Sequence, residues 1–168
     1  MKTSICDVCL KNEMLCEGCS KKLEDGEISE EAVTISRLLY RLRENYPYLE
    51  DAEIKRIFSA EELVIIIAAE GDVGKVVGKG GEVVKRIADE LDNPVRVVEY
   101  SSDIKDFVRN LLPNIKVYGI NEVFSPDGKY YRIVISEEHK NRLVLSEEEV
   151  SSLVEDVSGE KIKLSLSP

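Results

Sequence analysis

Val73-Gly74-Lys75-Val76-Val77-Gly78-Lys79-Gly80-Gly81-Glu82-Val83-Val84-Lys85-Arg86-Ile87 is the stretch that decides how this chain is read. It is a glycine-rich corner between two short apolar-periodic segments, with lysines on both sides. Glycine lets a backbone approach a ligand closely because no Cβ intervenes. After the corner, Val83, Val84, Ile87, Ala88 and Leu91 recur at helical spacing. A helix that opens at such a corner offers free N–H groups and the positive end of its dipole, which favours a phosphate. A tight turn with no ligand is the competing reading of the same glycines.

The corner does not fit a nucleotide-triphosphate loop, because the G-x-x-x-x-G-K-[ST] spacing is missing, and G-x-G-x-x-G is missing too. What remains is G-x-x-G between two helices. A continuous β-branched run, Leu63 to Ala69, precedes it and reads as a central strand buried on both faces. Val95 to Tyr100 follows it as a further strand. Upstream, Ser29 caps a helix carrying Ile35, Leu38, Leu39 and Leu42 at helical spacing. Arg37, Arg41 and Arg43 on that helix read as a solvated face. Ala52 to Phe58 is a short strand.

Past Tyr100 the element order repeats. Asp103 caps a helix with Ile104, Phe107, Val108, Leu111 and Leu112. Two strands follow, joined through Ser125-Pro126-Asp127-Gly128. A short helix around Glu138 to Leu143 leads to a longer one carrying Val150, Leu153, Val154 and Val157, and Lys161 to Leu166 alternates as a last strand. In this second unit Leu145-Ser146-Glu147-Glu148 stands where the glycine corner stood. Ser146 and Glu149 form a capping box that satisfies the helix's own N–H groups, and the glutamates repel phosphate.

All four cysteines fall in the first 19 of 168 residues, as Cys6-x-x-Cys9 and Cys16-x-x-Cys19. Two such pairs are the pattern of a closed four-thiolate site, so Cys6, Cys9, Cys16 and Cys19 are expected to hold a structural Zn2+. Two disulfides, disfavoured in a cytosolic chain, and an iron–sulfur centre are the rival readings. Ser20 to Glu30 reads as a linker or a solvated turn. The expected domains are 1–28 (metal segment), 29–101 (first unit) and 102–168 (second unit).

The net charge of −10 opposes nonspecific nucleic-acid binding. The charge is segregated, however. From Asp72 to Ile87, Lys75, Lys79, Lys85 and Arg86 outweigh Asp72 and Glu82, whereas Glu137 to Glu160 carries eight acids against Lys140 and Arg142. No apolar run approaches the roughly 20 residues of a membrane span, and no secretory pattern precedes the first cysteine, so a cytoplasmic location without membrane contact is expected. His139, the single histidine, has no evident nucleophile or ligand partner, and no enzymatic activity is expected.

Helix, strand, strand, helix, GxxG, helix, strand resembles the type II KH domain, whose GXXG loop clamps four nucleotides of single-stranded RNA. The expected class is therefore α+β: two tandem type II KH domains, the second with a degenerate corner, behind a small zinc-binding knuckle. The pairing, the join Glu99-Tyr100-Ser101-Ser102-Asp103, and Val117-Tyr118-Gly119-Ile120-Asn121 leading to Ser125-Pro126-Asp127-Gly128 resemble the NusA transcription factors, especially short archaeal members with an N-terminal zinc-ribbon segment. That resemblance implies single-stranded RNA binding in transcription elongation or termination. It implies RNA contacts at Gly78, Lys79, Gly80 and Gly81, a groove floor at Val76, Val77 and Ile87 (residues that a core would equally use), supporting charge from Lys75, Lys85 and Arg86, and a contact from Arg96 at the sheet edge. An adaptor that docks on RNA polymerase or the ribosome is the alternative.

Overall fold

The computed structural model describes residues 1–167. The chain divides into two compact units, Met1–Tyr100 and Ser101–Pro168.

In the first unit each cysteine pair opens a helix. Cys6 precedes α1 (Asp7–Lys11) and Cys16 caps α2 (Glu17–Glu24). The linker expected over Ser20 to Glu30 is therefore corrected: its first half is helical. Ile28, at 7% exposure, joins Ile5, Cys9, Leu10, Cys19 and Val33 in a small core. The apolar residues that make this region fold are too sparse to show a period, so the sequence reads as solvated while the fold buries it.

Ser29 accepts the Ala32 N–H at 3.0 Å and starts α3 (Glu30–Leu42). A 3₁₀ turn, Pro47–Asp51, leads to β1 (Ile54–Ser59) and β2 (Val64–Ala68). Next come α4 (Val73–Val77), the glycine corner, α5 (Glu82–Leu91) and β3 (Val95–Glu99). The sheet order is β1-β2-β3, with β1 antiparallel and β3 parallel to β2. Every β2 residue is buried, as its uninterrupted β-branched run requires. Val64, Ile66 and Ala68 share a core with Ile35, Leu38, Leu39 and Leu42 of α3, Val76 of α4, and Val83 and Ile87 of α5. Each such fully buried aliphatic contributes about 1.5–3 kcal/mol, enough to fix the helices that flank the corner.

The second unit has the same plan. Asp103 accepts the Lys105 and Asp106 N–H groups and starts α6 (Ile104–Leu111). β4 (Val117–Ser125) and β5 (Gly128–Ser136) form a hairpin closed by Pro126-Asp127. A 3₁₀ segment, Glu137–Arg142, precedes α7 (Glu147–Ser158) and β6 (Ile162–Ser167). The order is β4-β5-β6, antiparallel then parallel, matching the first sheet. The α+β class with two KH-like units, expected from the element order, is what the chain adopts. No helix among the described residues is long and apolar enough to cross a membrane.

Candidate nucleic-acid interface

The corner is built from three glycines in the left-handed half of backbone space: Gly78 (φ 77°), Gly80 (φ 60°) and Gly81 (φ 78°). They differ in what surrounds them. A Cβ on Gly78 would sit 2.7 Å from Val83 Cγ2 and 3.0 Å from the Tyr48 hydroxyl, so the chain there is packed shut on its inner side. A Cβ on Gly80 or Gly81 would meet nothing within 4 Å. The outer side of the corner is therefore open, and its bare backbone faces solvent.

Tyr48 braces the corner from below. Its hydroxyl donates to Glu82 Oε1, across 34 positions of sequence. Burial, reinforced by the Glu82 carboxylate, pushes the phenol up to about 12, with the nearby Lys79 backbone amide acting in the opposite direction. The phenol thus stays protonated and holds Glu82 at the far end of the corner. Neither Tyr48 nor Glu82 stands out in the sequence, because the contact is made only when the 3₁₀ turn folds back under α5.

The cations fall into two groups. Lys75 Nζ donates to Asp72 Oδ1 at 2.8 Å and to the Asp51 carbonyl at 3.3 Å. Asp72 in turn accepts the Glu53 N–H at 2.9 Å. The Asp72 hydrogen bond raises the Lys75 pKa and holds the Asp72 carboxyl below its usual range. Lys75 is consequently a paired cation that anchors the start of α4. Arg86 lies 3.4 Å from Glu90 on the exposed face of α5. Lys79 and Lys85 are exposed, and neither has an ion-pair partner among the described residues. Two apolar or basic positions lie elsewhere than the sequence suggests. Val76 is 0% exposed within the core, while Val77 is half-buried. Val95 and Val97 pack towards the helices, so alternation along β3 turns Arg96 to the opposite face of the sheet, away from the corner.

The four cysteine sulfurs lie within 4.8 Å of one another. Cys6 Sγ is 3.5 Å from Cys9 Sγ and 3.8 Å from Cys16 Sγ. A tetrahedral ion with metal–sulfur arms of about 2.3 Å needs sulfurs about 3.8 Å apart, so the four can hold one metal ion. All four are free thiols. Backbone N–H groups point at the sulfurs, Cys16 N to Cys9 Sγ at 3.0 Å and Cys19 N to Cys16 Sγ at 3.5 Å, the arrangement that supports thiolates. Arg37 Nε donates to the Cys9 carbonyl at 3.0 Å, tying the knuckle to α3. Arg37, expected on a solvated face, is thus a structural link.

In the second unit the equivalent helix start is closed. Ser146 Oγ accepts the Glu149 N–H at 3.1 Å, and Glu149 accepts the Ser146 N–H at 2.8 Å. Leu145, at the position of the first glycine, is 6% exposed.

A family model described as "KH domain" matches residues 42–128, from the end of α3 through the glycine corner to the β4–β5 hairpin. The chain is 37% identical over 59 residues to a protein of Methanococcus vannielii named "Probable transcription termination protein NusA", covering 35% of this chain and 34% of that one. It is 42% identical over 57 residues to a protein of the same name from Methanocaldococcus jannaschii, covering 34% of this chain and 31% of the other. The chain thus aligns with about a third of the length of these curated relatives. The crystal structure of APE1850 superposes with a TM-score of 0.56 at 23% identity, covering 78% of this chain and 96% of that one, a likeness of fold.

Proposed function

The chain belongs to the KH domain family, and from that premise we propose that it is a non-enzymatic single-stranded RNA-binding protein acting as a NusA-like factor in transcription elongation or termination. The RNA backbone lies against Gly78-Lys79-Gly80-Gly81, which holds about four nucleotides. One observation carries this reading: the corner is braced from inside by Tyr48 and Val83 yet bare on its outer side, beside an uncommitted Lys79. A turn needed only to join two helices has no use for two open left-handed positions, Gly80 and Gly81, next to a free cation. Gly80 and Gly81 admit the phosphate, Lys79 and Lys85 supply charge, and half-buried Val77 offers an apolar wall. Lys75 and Val76 support the fold of this site without touching RNA, and Arg96 is not part of it. The name carried by the archaeal relatives supports the transcriptional role, and contact with RNA polymerase belongs to the same proposal. The metal held by Cys6, Cys9, Cys16 and Cys19 is zinc in a structural role, since four thiolates leave no open coordination position.

Changing Lys79 and Gly80 together to Asp tests the clamp. Affinity for single-stranded RNA should fall tenfold or more, about 1.4 kcal/mol, with little change in melting temperature. Wild-type binding by this variant overturns the reading. Elemental analysis of the purified, reduced protein should return one zinc per chain.

A further inference from the structure

The second unit has no clamp, yet one face of its sheet has the charge and shape of a nucleic-acid surface. Side chains alternate across a sheet. Ile133 and Ile135 of β5, both 0% exposed, point to the core of the unit together with Ile120 and Ile162. The neighbouring positions form the other face. There Asn121, Arg132 and Lys163 stand side by side across the three strands. All three are exposed. One row along, Tyr130 lies with its ring centroid 4.4 Å from the Lys163 ammonium. On the other side of Arg132 the row includes Gly119 and Ser165, too small to obstruct a flat ring.

The charge on this face is one-sided. Glu122 is the single acid in β4, β5 and β6, and it lies on the opposite face, where it sits 3.7 Å from Lys129. Glu160 holds the same lysine at 3.5 Å. Arg132 and Lys163 have no carboxylate partner among the described residues. In a chain of net charge −10, two cations without a carboxylate partner on an acid-free face of the sheet, Lys163 resting over the Tyr130 ring, mark a place for an anion. Tyr130 and the planar guanidinium of Arg132 itself, next to the small Gly119 and Ser165, suit an anion that carries flat rings.

We propose that the open face of β4, β5 and β6 is a second contact for single-stranded RNA, with bases stacking on Tyr130 and Arg132 and phosphates meeting Lys163. This rests on the reading that the first unit holds RNA at its glycine corner, and it adds a separate contact to the roughly four nucleotides held there. Binding is tolerant of sequence, because every base has a face to stack.

The test uses the full chain with two unstructured probes, an oligouridine of about 12 nucleotides and one of about four. Replacing Arg132 and Lys163 with Ala should weaken the long probe roughly fivefold or more and flatten its log affinity against log salt by about 0.7 per cation. The short probe should bind as to wild type. Tyr130→Ala should cost the long probe about fivefold or more, and Tyr130→Phe should retain it, because stacking needs the ring and not the hydroxyl. Long-probe affinity unchanged in both Ala variants overturns the proposal. So does displacement of the long probe by oligoglutamate together with a neutral Tyr130→Ala, the pattern of an acidic protein partner. The corner reading fails separately, when Lys79→Asp with Gly80→Asp leaves both probes bound as before.

Discussion

In both units a strand pair runs into a helix and then a parallel strand, and the connection before that helix is where the two part. In the first, Gly80 and Gly81 open the backbone to solvent beyond a packed Gly78, and the Lys79 side chain stands free beside them. In the second, a buried Leu145 and the reciprocal Ser146–Glu149 bonds close the same position, and Glu147 and Glu148 surround it with charge. A helix start can spend its unpaired N–H groups on its own cap or leave the site open to an anion. The scaffold tolerates either choice, because each connection meets the core beneath at one position, Gly78 against Val83 in one unit and buried Leu145 in the other, and its remaining residues lie outside that core. What distinguishes the units is thus a loop-level change on a shared frame.

The largest effect should come from the frame itself. Leu153→Ala, at a fully buried position, should destabilise by about 2–5 kcal/mol in a denaturant melt. Affinity for an RNA of about four nucleotides, measured well below the melting range, should stay unchanged, since the glycine corner lies in the other unit. Loss of both together would merge what the comparison separates.

Within the corner, Gly78→Ala should cost more than Gly80→Ala. At Gly78 the left-handed backbone alone costs about 1–3 kcal/mol, and the new Cβ would also press on Val83. At Gly80 only the backbone term, about 1–2 kcal/mol, applies. Thermal melts of the pair measure the difference directly. RNA binding should weaken in both, because each variant disturbs the open backbone.

How much of this was legible from residues alone depended on range. The Ser29 cap, the Asp103 cap and the Ser146–Glu149 box are local, so the letters three apart suffice to find them. The β2 run declared its burial on both faces, and the two Cys-x-x-Cys pairs declared their cluster. Tyr48 under the corner and Arg96 on the far sheet face were not legible, because each is fixed by packing between segments distant in sequence. The helix over Ser20 to Glu24 was hidden for a different reason: it is stabilised by the cysteine cluster at its start and by Ile28 after it, with little amphipathic pattern of its own.

A smaller effect sharpens the role of the brace. Tyr48→Phe removes the donor to Glu82 while keeping the ring. RNA affinity should fall a few-fold through a looser corner, as expected for loss of hydrogen bonds of ordinary strength. Hydrogen exchange at Lys79 should speed up in the same variant.

The smallest effect is expected in the second unit. Glu147→Ala with Glu148→Ala should change RNA affinity by less than about twofold, and any gain should vanish with added salt, since screening is strong beyond roughly 8–10 Å. A fluorescence titration at two salt concentrations reads both.

Photo-crosslinking of a short 4-thiouridine RNA to the full chain, with the modified peptides identified by mass spectrometry, tests the difference between the units most directly. The account predicts crosslinks at Gly78 to Gly81 and their flanks, lost in the Lys79→Asp, Gly80→Asp variant, and none at Leu145 to Glu149. Crosslinks at Leu145 to Glu149, or their absence from the glycine corner, would contradict it.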